Sequence, residues 1–428
     1  MSKPQFSSAP WRDRIAFLTE LAERLHAYGT TAQRLEGALL GVAGRLNVKC
    51  EPWVNPTGMI LTFRNPDDPD ANDITRVIRM PPGEVDLSRL SMADRIAEDV
   101  LASRIGIAEG LAALKHLDRL PTGRWRLMQT LAFGLIAAGV ACLLRLPWLD
   151  VATATFAGLS IGVLDYLVTR LPALRESMEA VAAVMAATFA VLVASFIGPL
   201  NLNTVIISSL IVLAPGMALT NAINELTSQH LVAGTARFAG AMTTILKLTI
   251  GTMIALTVAS MVGLETNVEY HRPQPRWVEA LGLLIASYAF AVVFRAWRRD
   301  YLLVMAAAAA GYLISRYVGI WLGNVAGVFI SALTLTMAGN LYARWRNRPG
   351  ALIRVPGIIL LVPGSASFRG LMTLMQQQDM SAGQAALLAV LNILLALIGC
   401  HRRAAICKPQ KSAGHAGAFR FAAITAAC

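Results

Sequence analysis

From Leu127 onward, charged side chains collect in short clusters separated by apolar stretches of about 18 to 25 residues, the length that crosses roughly 30 Å of hydrocarbon as α-helix. Lipid offers no partner to backbone N–H and C=O groups, so such stretches are confined to helices that satisfy their own backbone. Composition agrees, with 55% hydrophobic and 15% charged residues and a mean hydropathy of +0.54. Residues 1–126 differ, since Asp, Glu and Arg recur there at ordinary globular density.

The predicted fold is an all-α polytopic membrane domain of about ten transmembrane helices in two inverted five-helix repeats, preceded by a small α+β cytoplasmic domain. The spans fall near 127–144, 150–168, 178–198, 203–226, 236–262, 277–296, 301–318, 320–342, 351–374 and 382–400. The domains are then 1–126 (cytoplasmic), 127–262 (first repeat), 277–400 (second repeat) and 401–428, an atypical cytoplasmic tail. His401, Arg402 and Arg403 cut the last span close to its minimum length, and residues 404–428 are neither apolar enough to span nor patterned, as after a frameshift or an unusual terminus.

Orientation follows from Lys and Arg placement, because cations near span ends are held on the cytoplasmic side. One set of loops holds Lys115, Arg119, Arg124, Arg126, Arg170, Arg175, Arg237, Arg295, Arg298, Arg299, Arg344, Arg346, Arg348, Arg354, Arg402 and Arg403; the other holds only Arg145, Arg272, Arg276 and Arg316. Both termini are therefore expected in the cytoplasm. No cleavable signal peptide is expected, since the first apolar span starts near residue 127. The net charge of +12 is then mostly a topology signal, and no nucleic-acid partner is expected.

Two runs resemble each other, Val212-Leu-Ala-Pro-Gly-Met-Ala-Leu-Thr-Asn-Ala-Ile223 and Leu360-Leu-Val-Pro-Gly-Ser-Ala-Ser-Phe-Arg-Gly-Leu371. Each sets Pro-Gly inside an apolar segment, where proline removes a donor and frees the carbonyl four residues back, of Ile211 and Ile359. Interrupted segments at corresponding positions of two halves point to a transport site at the membrane midplane. With five spans per half, the fourth and ninth spans would face each other across a pseudo-two-fold axis, an arrangement that permits alternating access. An ordinary kink tolerated by packing is the plainer alternative.

Together with Asn221-Ala-Ile-Asn-Glu225, Gly234-Thr-Ala-Arg237, Arg369-Gly370, Gly29-Thr-Thr-Ala-Gln-Arg-Leu-Glu36 and Asn55-Pro-Thr-Gly58, these runs resemble the bacterial threonine/serine exporter family, from about residue 12 to about 400. The resemblance implies secondary export of small hydrophilic metabolites, hydroxy amino acids or, as in split two-protein relatives, the dicarboxylate succinate. A channel and a non-transport membrane sensor are the alternatives from other classes.

Candidate substrate-binding residues are Pro215, Gly216, Asn221, Asn224, Pro363, Gly364, Ser365 and Arg369. Asn221, Asn224 and Glu225 share one helical face, where they either meet a zwitterionic substrate or sit among headgroups. Arg369 is suited to bidentate carboxylate binding, with snorkelling to the outer interface as its plainer role. Candidates for ion coupling or charge relay are Lys247, Asp165 and Glu225. Lys247 is placed deep in the fifth span, where relaying a proton, pairing with a carboxylate such as Asp165 or Glu179, and contacting substrate are the open roles.

The cytoplasmic domain is predicted to open with an amphipathic helix over 11–46, interrupted at Gly29, followed by strands over 49–54, 59–63 and 74–80. A second helix over 91–117 would start at Ser91 as N-cap, with Asp94, Glu98 and Asp99 on a solvated face. No enzyme is expected: His26 and His116 are lone, and neither a phosphate loop nor a nucleophile motif appears. The scattered cysteines give no metal site, and no cofactor is expected. Expected partners are a small-molecule substrate (amino acid or dicarboxylate), protons, membrane lipids and, as an option, further copies of the chain.

Overall fold

The computed structural model describes residues 9–68, 70, 72–118, 123–264, 273–346, 348–361, 368, 370 and 372. The N-terminal part forms an α+β module. Helices α1 (Trp11–Ala27) and α2 (Ala32–Arg45) are parted at Gly29, whose φ of +79° lies in the left-handed region that glycine enters without strain. The close approach also needs glycine, because a Cβ there would stand 3.0 Å from the backbone nitrogen of Val85.

Strands β1 (Lys49–Asn55), β2 (Gly58–Arg64) and β3 (Ile74–Arg79) pair antiparallel in that order, with Pro52 on the β1 edge where a missing donor costs no ladder bond. Cys50, Val54, Met59, Leu61 and Phe63 turn one face of β1 and β2 onto Phe17, Leu18, Leu35 and Leu39 of α1 and α2. Each fully buried Leu or Phe here contributes roughly 1.5–3 kcal/mol.

The predicted 91–117 helix is two helices, α3 (Leu87–Leu101) and α4 (Ile107–His116). Ser91 is not the cap. Asp86 is, accepting from the Arg89 backbone N–H at 2.9 Å, while the Ser91 hydroxyl donates to the Leu87 carbonyl within the helix. Asp94 is not solvated either, being only 3% exposed.

Among the described residues seven helices are long and apolar enough to cross a membrane, so the chain is a multi-pass membrane protein. They are α5 (Gly123–Leu143), α6 (Trp148–Val168), α7 (Met178–Phe196), α10 (Leu231–Met261), α11 (Arg276–Val293), α12 (Tyr301–Leu322) and α13 (Asn324–Arg346). The predicted 203–226 span is two short helices, α8 (Leu202–Leu210) and α9 (Gly216–Thr227). Helix α14 (Ala351–Ile359) begins the predicted ninth span; the rest of that span, apart from Leu360, Leu361 and three isolated residues, and the whole tenth lie outside the described residues. Phe368 and Met372 are buried in the same cluster as Ala186, Ala190 and Leu210.

Small residues set the closest helix contacts. A Cβ on Gly139 would stand 2.9 Å from the Ala286 Cβ, and one on Gly282 would stand 2.7 Å from the Gly139 carbonyl and the Leu143 nitrogen. Rising numbers on α5 meet falling numbers on α11, so the two run antiparallel. Each ends in a corner of the same conformation, at opposite ends of the pair. Arg145 (φ 56°) and Arg295 (φ 51°) take the left-handed position, with N–H bonds from Leu146 to Ala141 and from Ala296 to Ala291 closing each helix.

Five residues beyond each corner a buried aspartate marks the start of the next helix: Asp150, in the first turn of α6 and bonded to Asn201 ahead of α8, and Asp300, just before α12 and bonded to Arg348 ahead of α14. Helix α10 instead runs parallel to α7, since Gly251 abuts Ala180 and Lys247 reaches the Glu176 carbonyl at 2.6 Å. Residues 231–246 therefore run on past the start of α7, about 24 Å at 1.5 Å per residue, and Ala233 joins the core of the N-terminal module.

Candidate functional site

The break between α8 and α9 is a local consequence of Pro215. Its ring removes the N–H that would have reached the Ile211 carbonyl, and the chain turns through tighter bonds instead, Leu213 N–H to Leu210 at 2.9 Å and Gly216 N–H to Ala214 at 2.8 Å. Residues 211–218 line a cavity of about 340 Å³. Asp165 of α6 lines it too, with Glu84 and Arg295 at its edge. Pro215, Gly216 and Asp165, three of the residues expected from sequence, are thus brought to one place.

Asn221 and Asn224 line a second cavity, one turn and more further along α9, together with Met217 and Thr220. Its opposite wall is the N-terminal module: Tyr28, Thr31 and Arg34 from the α1–α2 junction and Asp94 from α3. Thr336 of α13 and Arg354 of α14 complete it. Arg354 is 2% exposed. Gly339 makes room for it, because a Cβ there would stand 2.8 Å from the Arg354 Cγ. Burial, with Glu98 nearby, pushes the Asp94 carboxyl well above the ordinary carboxylate range, and its Oδ1 has no hydrogen-bond partner among the described residues.

Glu225 is fully buried beside this cavity. It receives Arg237 Nε and Nη2 at 3.0 and 3.1 Å, and its Oε1 also accepts the Ala32 backbone N–H at 3.0 Å. Ser228 donates to Gln33 at 2.8 Å, and His230 Nε2 lies 2.9 Å from Glu36. The runs 29–36, 221–225 and 234–237, far apart in sequence, therefore meet along one seam.

Lys247 lies elsewhere. It bonds to the Glu176 carbonyl and stands 3.4 Å from Glu179, level with the first turn of α7 and not deep in a span; Glu179, and not Asp165, is its carboxylate. Depth was expected because a helix starting near 236 would lie wholly in lipid, whereas α10 starts at Leu231 and its first turns sit against the N-terminal module. Pro363, Gly364, Ser365 and Arg369 lie outside the described residues.

A family model described as "Putative threonine/serine exporter" matches residues 16–259, more than half of the chain, and a second, "Threonine/Serine exporter, ThrE", matches residues 279–399. The chain belongs to the threonine/serine exporter family. This exporter is 22% identical over 364 residues to the "Probable threonine/serine exporter" of Mycobacterium tuberculosis, a match covering 81% of this chain and 67% of that protein. It is 24% identical to "Pheromone-regulated membrane protein 10" of Pichia sorbitophila and of Candida albicans, over 86% of this chain but only 38% and 34% of the fungal proteins. The chain thus spans little more than a third of these fungal relatives. No solved structure matches it.

The exporter is a membrane transporter and not an enzyme. Sequence reasoning missed Asp94, which looked like one of a run of helix-face acids, and Arg354, which looked like one more topology cation. The one signal for Arg354 was that Pro349 and Gly350 separate it from the Arg344–Arg348 cluster and leave it among apolar neighbours.

Proposed function

We propose that this exporter moves a small hydrophilic metabolite of the threonine/serine class out of the cell across the inner membrane, by alternating access and at the expense of the proton gradient. The observation that carries the reading is the interrupted helix at 211–215, whose backbone lines a cavity shared with Asp165. Irregular backbone within a membrane domain is tolerated where it faces a cavity, and exposed peptide groups there are suited to polar solutes.

The antiparallel α5 and α11, and the matching corners at Arg145 and Arg295, support two inverted halves. Rocking one half against the other would open the site to each side in turn, with Pro363, Gly364, Ser365 and Arg369 as the second half's counterpart of Pro215 and Gly216. Asp165 is the proposed proton-exchanging group, placed where solute and proton can compete. The N-terminal module and both termini are assigned to the cytoplasm by the Lys and Arg distribution.

The test uses proteoliposomes preloaded with labelled threonine, serine or succinate under an imposed pH gradient. Gradient-driven efflux of threonine or serine, abolished by a protonophore and strongly reduced in Pro215→Ala and Asp165→Asn, is the expected result. Efflux of succinate alone would assign the dicarboxylate class, and flux proportional to the solute gradient without counterflow would make the protein a channel.

A further inference from the structure

Resting on the export reading, we propose that the cavity between the N-terminal module and the membrane helices is a binding site for a zwitterionic amino acid, with Asp94 receiving the α-ammonium group and Arg34 and Arg354 the carboxylate. The module would then supply part of the substrate site, in addition to covering the membrane helices.

The argument starts from Asp94. A carboxyl that is 3% exposed, with one oxygen left without a hydrogen bond among the described residues, is expensive to keep in a core. Neighbouring core positions of α3 are apolar, Ala93, Ala97 and Val100 among them, and any of their residue types would pack there at less cost. A group retained at such a cost and lining a cavity is explained by what enters the cavity. Its high proton affinity when the cavity is empty fits a group that meets its counter-charge only when a ligand arrives.

The remaining wall selects the ligand class. Both signs of charge line one space of about 110 Å³, which admits a small solute but not a nucleotide or peptide. A dicarboxylate would match the guanidiniums and leave Asp94 opposed; a polyol would match neither. An amino acid zwitterion answers both. Asn221, Asn224 and Thr336 add amide and hydroxyl partners for a side-chain hydroxyl, and Ile223, Val355 and Ile358 give an apolar flank that a threonine methyl would cover.

The experiment measures binding to the purified full-length protein in detergent by calorimetry, with L-threonine, 3-hydroxybutyrate (no ammonium), threonine methyl ester (no carboxylate) and succinate as probes, alongside transport in proteoliposomes. Threonine should bind, each truncated probe should bind at least tenfold more weakly, and Asp94→Asn should weaken threonine by roughly tenfold or more. The variant should melt no lower than wild type, because the amide removes a buried ionisable group, so weakened binding cannot be put down to misfolding. Wild-type threonine transport combined with an unchanged Kd in Asp94→Asn overturns the site and leaves the export reading standing. A wild-type protein that neither binds nor moves any amino acid overturns both.

Discussion

Asp150 and Asp300 stand in matching places: each is buried, each lies five residues past a left-handed arginine corner at the start of the next helix, Asp150 in its first turn and Asp300 just before it, and each clamps the entry of a later helix. The partners differ. Asp150 Oδ2 accepts from Asn201 Nδ2 at 2.7 Å, whereas Asp300 takes two guanidinium N–H groups of Arg348, at 2.6 and 3.0 Å. Removing Asp300 leaves a half-buried cation unmatched, at roughly 3–5 kcal/mol, while removing Asp150 leaves a neutral amide unsatisfied, at roughly 1–3 kcal/mol. Thermal melts in detergent should therefore place Asp300→Ala below Asp150→Ala, and both below wild type.

Glu225 joins Arg237 to the module through the Ala32 N–H, so it holds two parts of the chain at once. Glu225→Ala is expected to lose about 3–5 kcal/mol. Glu225→Gln should lose less, because its carbonyl still accepts from Ala32. Protease sensitivity near residue 30 should rise in the first variant and much less in the second.

Gly282→Ala would force a methyl to within 2.7 Å of the Gly139 carbonyl and the Cys142 Cβ. Overpacking of this kind costs about 1–3 kcal/mol. The melting temperature should fall, and Gly240→Ala, where nothing lies within 4 Å of the added carbon, should leave it unchanged.

His26 is held neutral: burial lowers its affinity for a proton, against a bond of 3.1 Å to the Asn55 carbonyl. Above pH 6.5 folded and unfolded chains are alike at this group. Below it the unfolded chain takes up a proton that the folded one refuses, so stability falls as pH drops. Melting temperature should decline between pH 7 and pH 5.5, with a smaller decline in His26→Gln.

In a cysteine-free background, Gln229→Cys and Trp321→Cys report orientation, since both positions are exposed. A membrane-impermeant thiol reagent added to intact cells should label Trp321→Cys and spare Gln229→Cys. The reverse pattern would invert the proposed topology.

Much of this molecule was legible in its sequence, for identifiable reasons. The long helices follow from hydropathy alone, and the strands from alternation around Asn55-Pro-Thr-Gly58. Gly29 marked a helix break because only a left-handed residue ends one helix and starts the next so abruptly. What escaped was tertiary. Nothing local separates Asp94, which faces the interior of α3, from Glu98 and Asp99 a turn away, and nothing local says that α10 starts outside the span. Pro215, Asn221 and Asn224 stood out because proline and amides are conspicuous among apolar residues, and each lines a cavity. Their division between two cavities became visible only once α1, α3 and α14 were in place.

The length of α10 has a mechanical meaning. Its first two turns are tied to the module, through Ala233 directly and through Arg237 by way of Glu225, the next turns pack on α9 through Ala241 and Ile245, and the rest lies along α7. It is one stiff rod with a handle at one end, so a few degrees of tilt among the spans becomes an ångström-scale swing of the module, and force applied to the module is delivered back as torque on the helices beside α9.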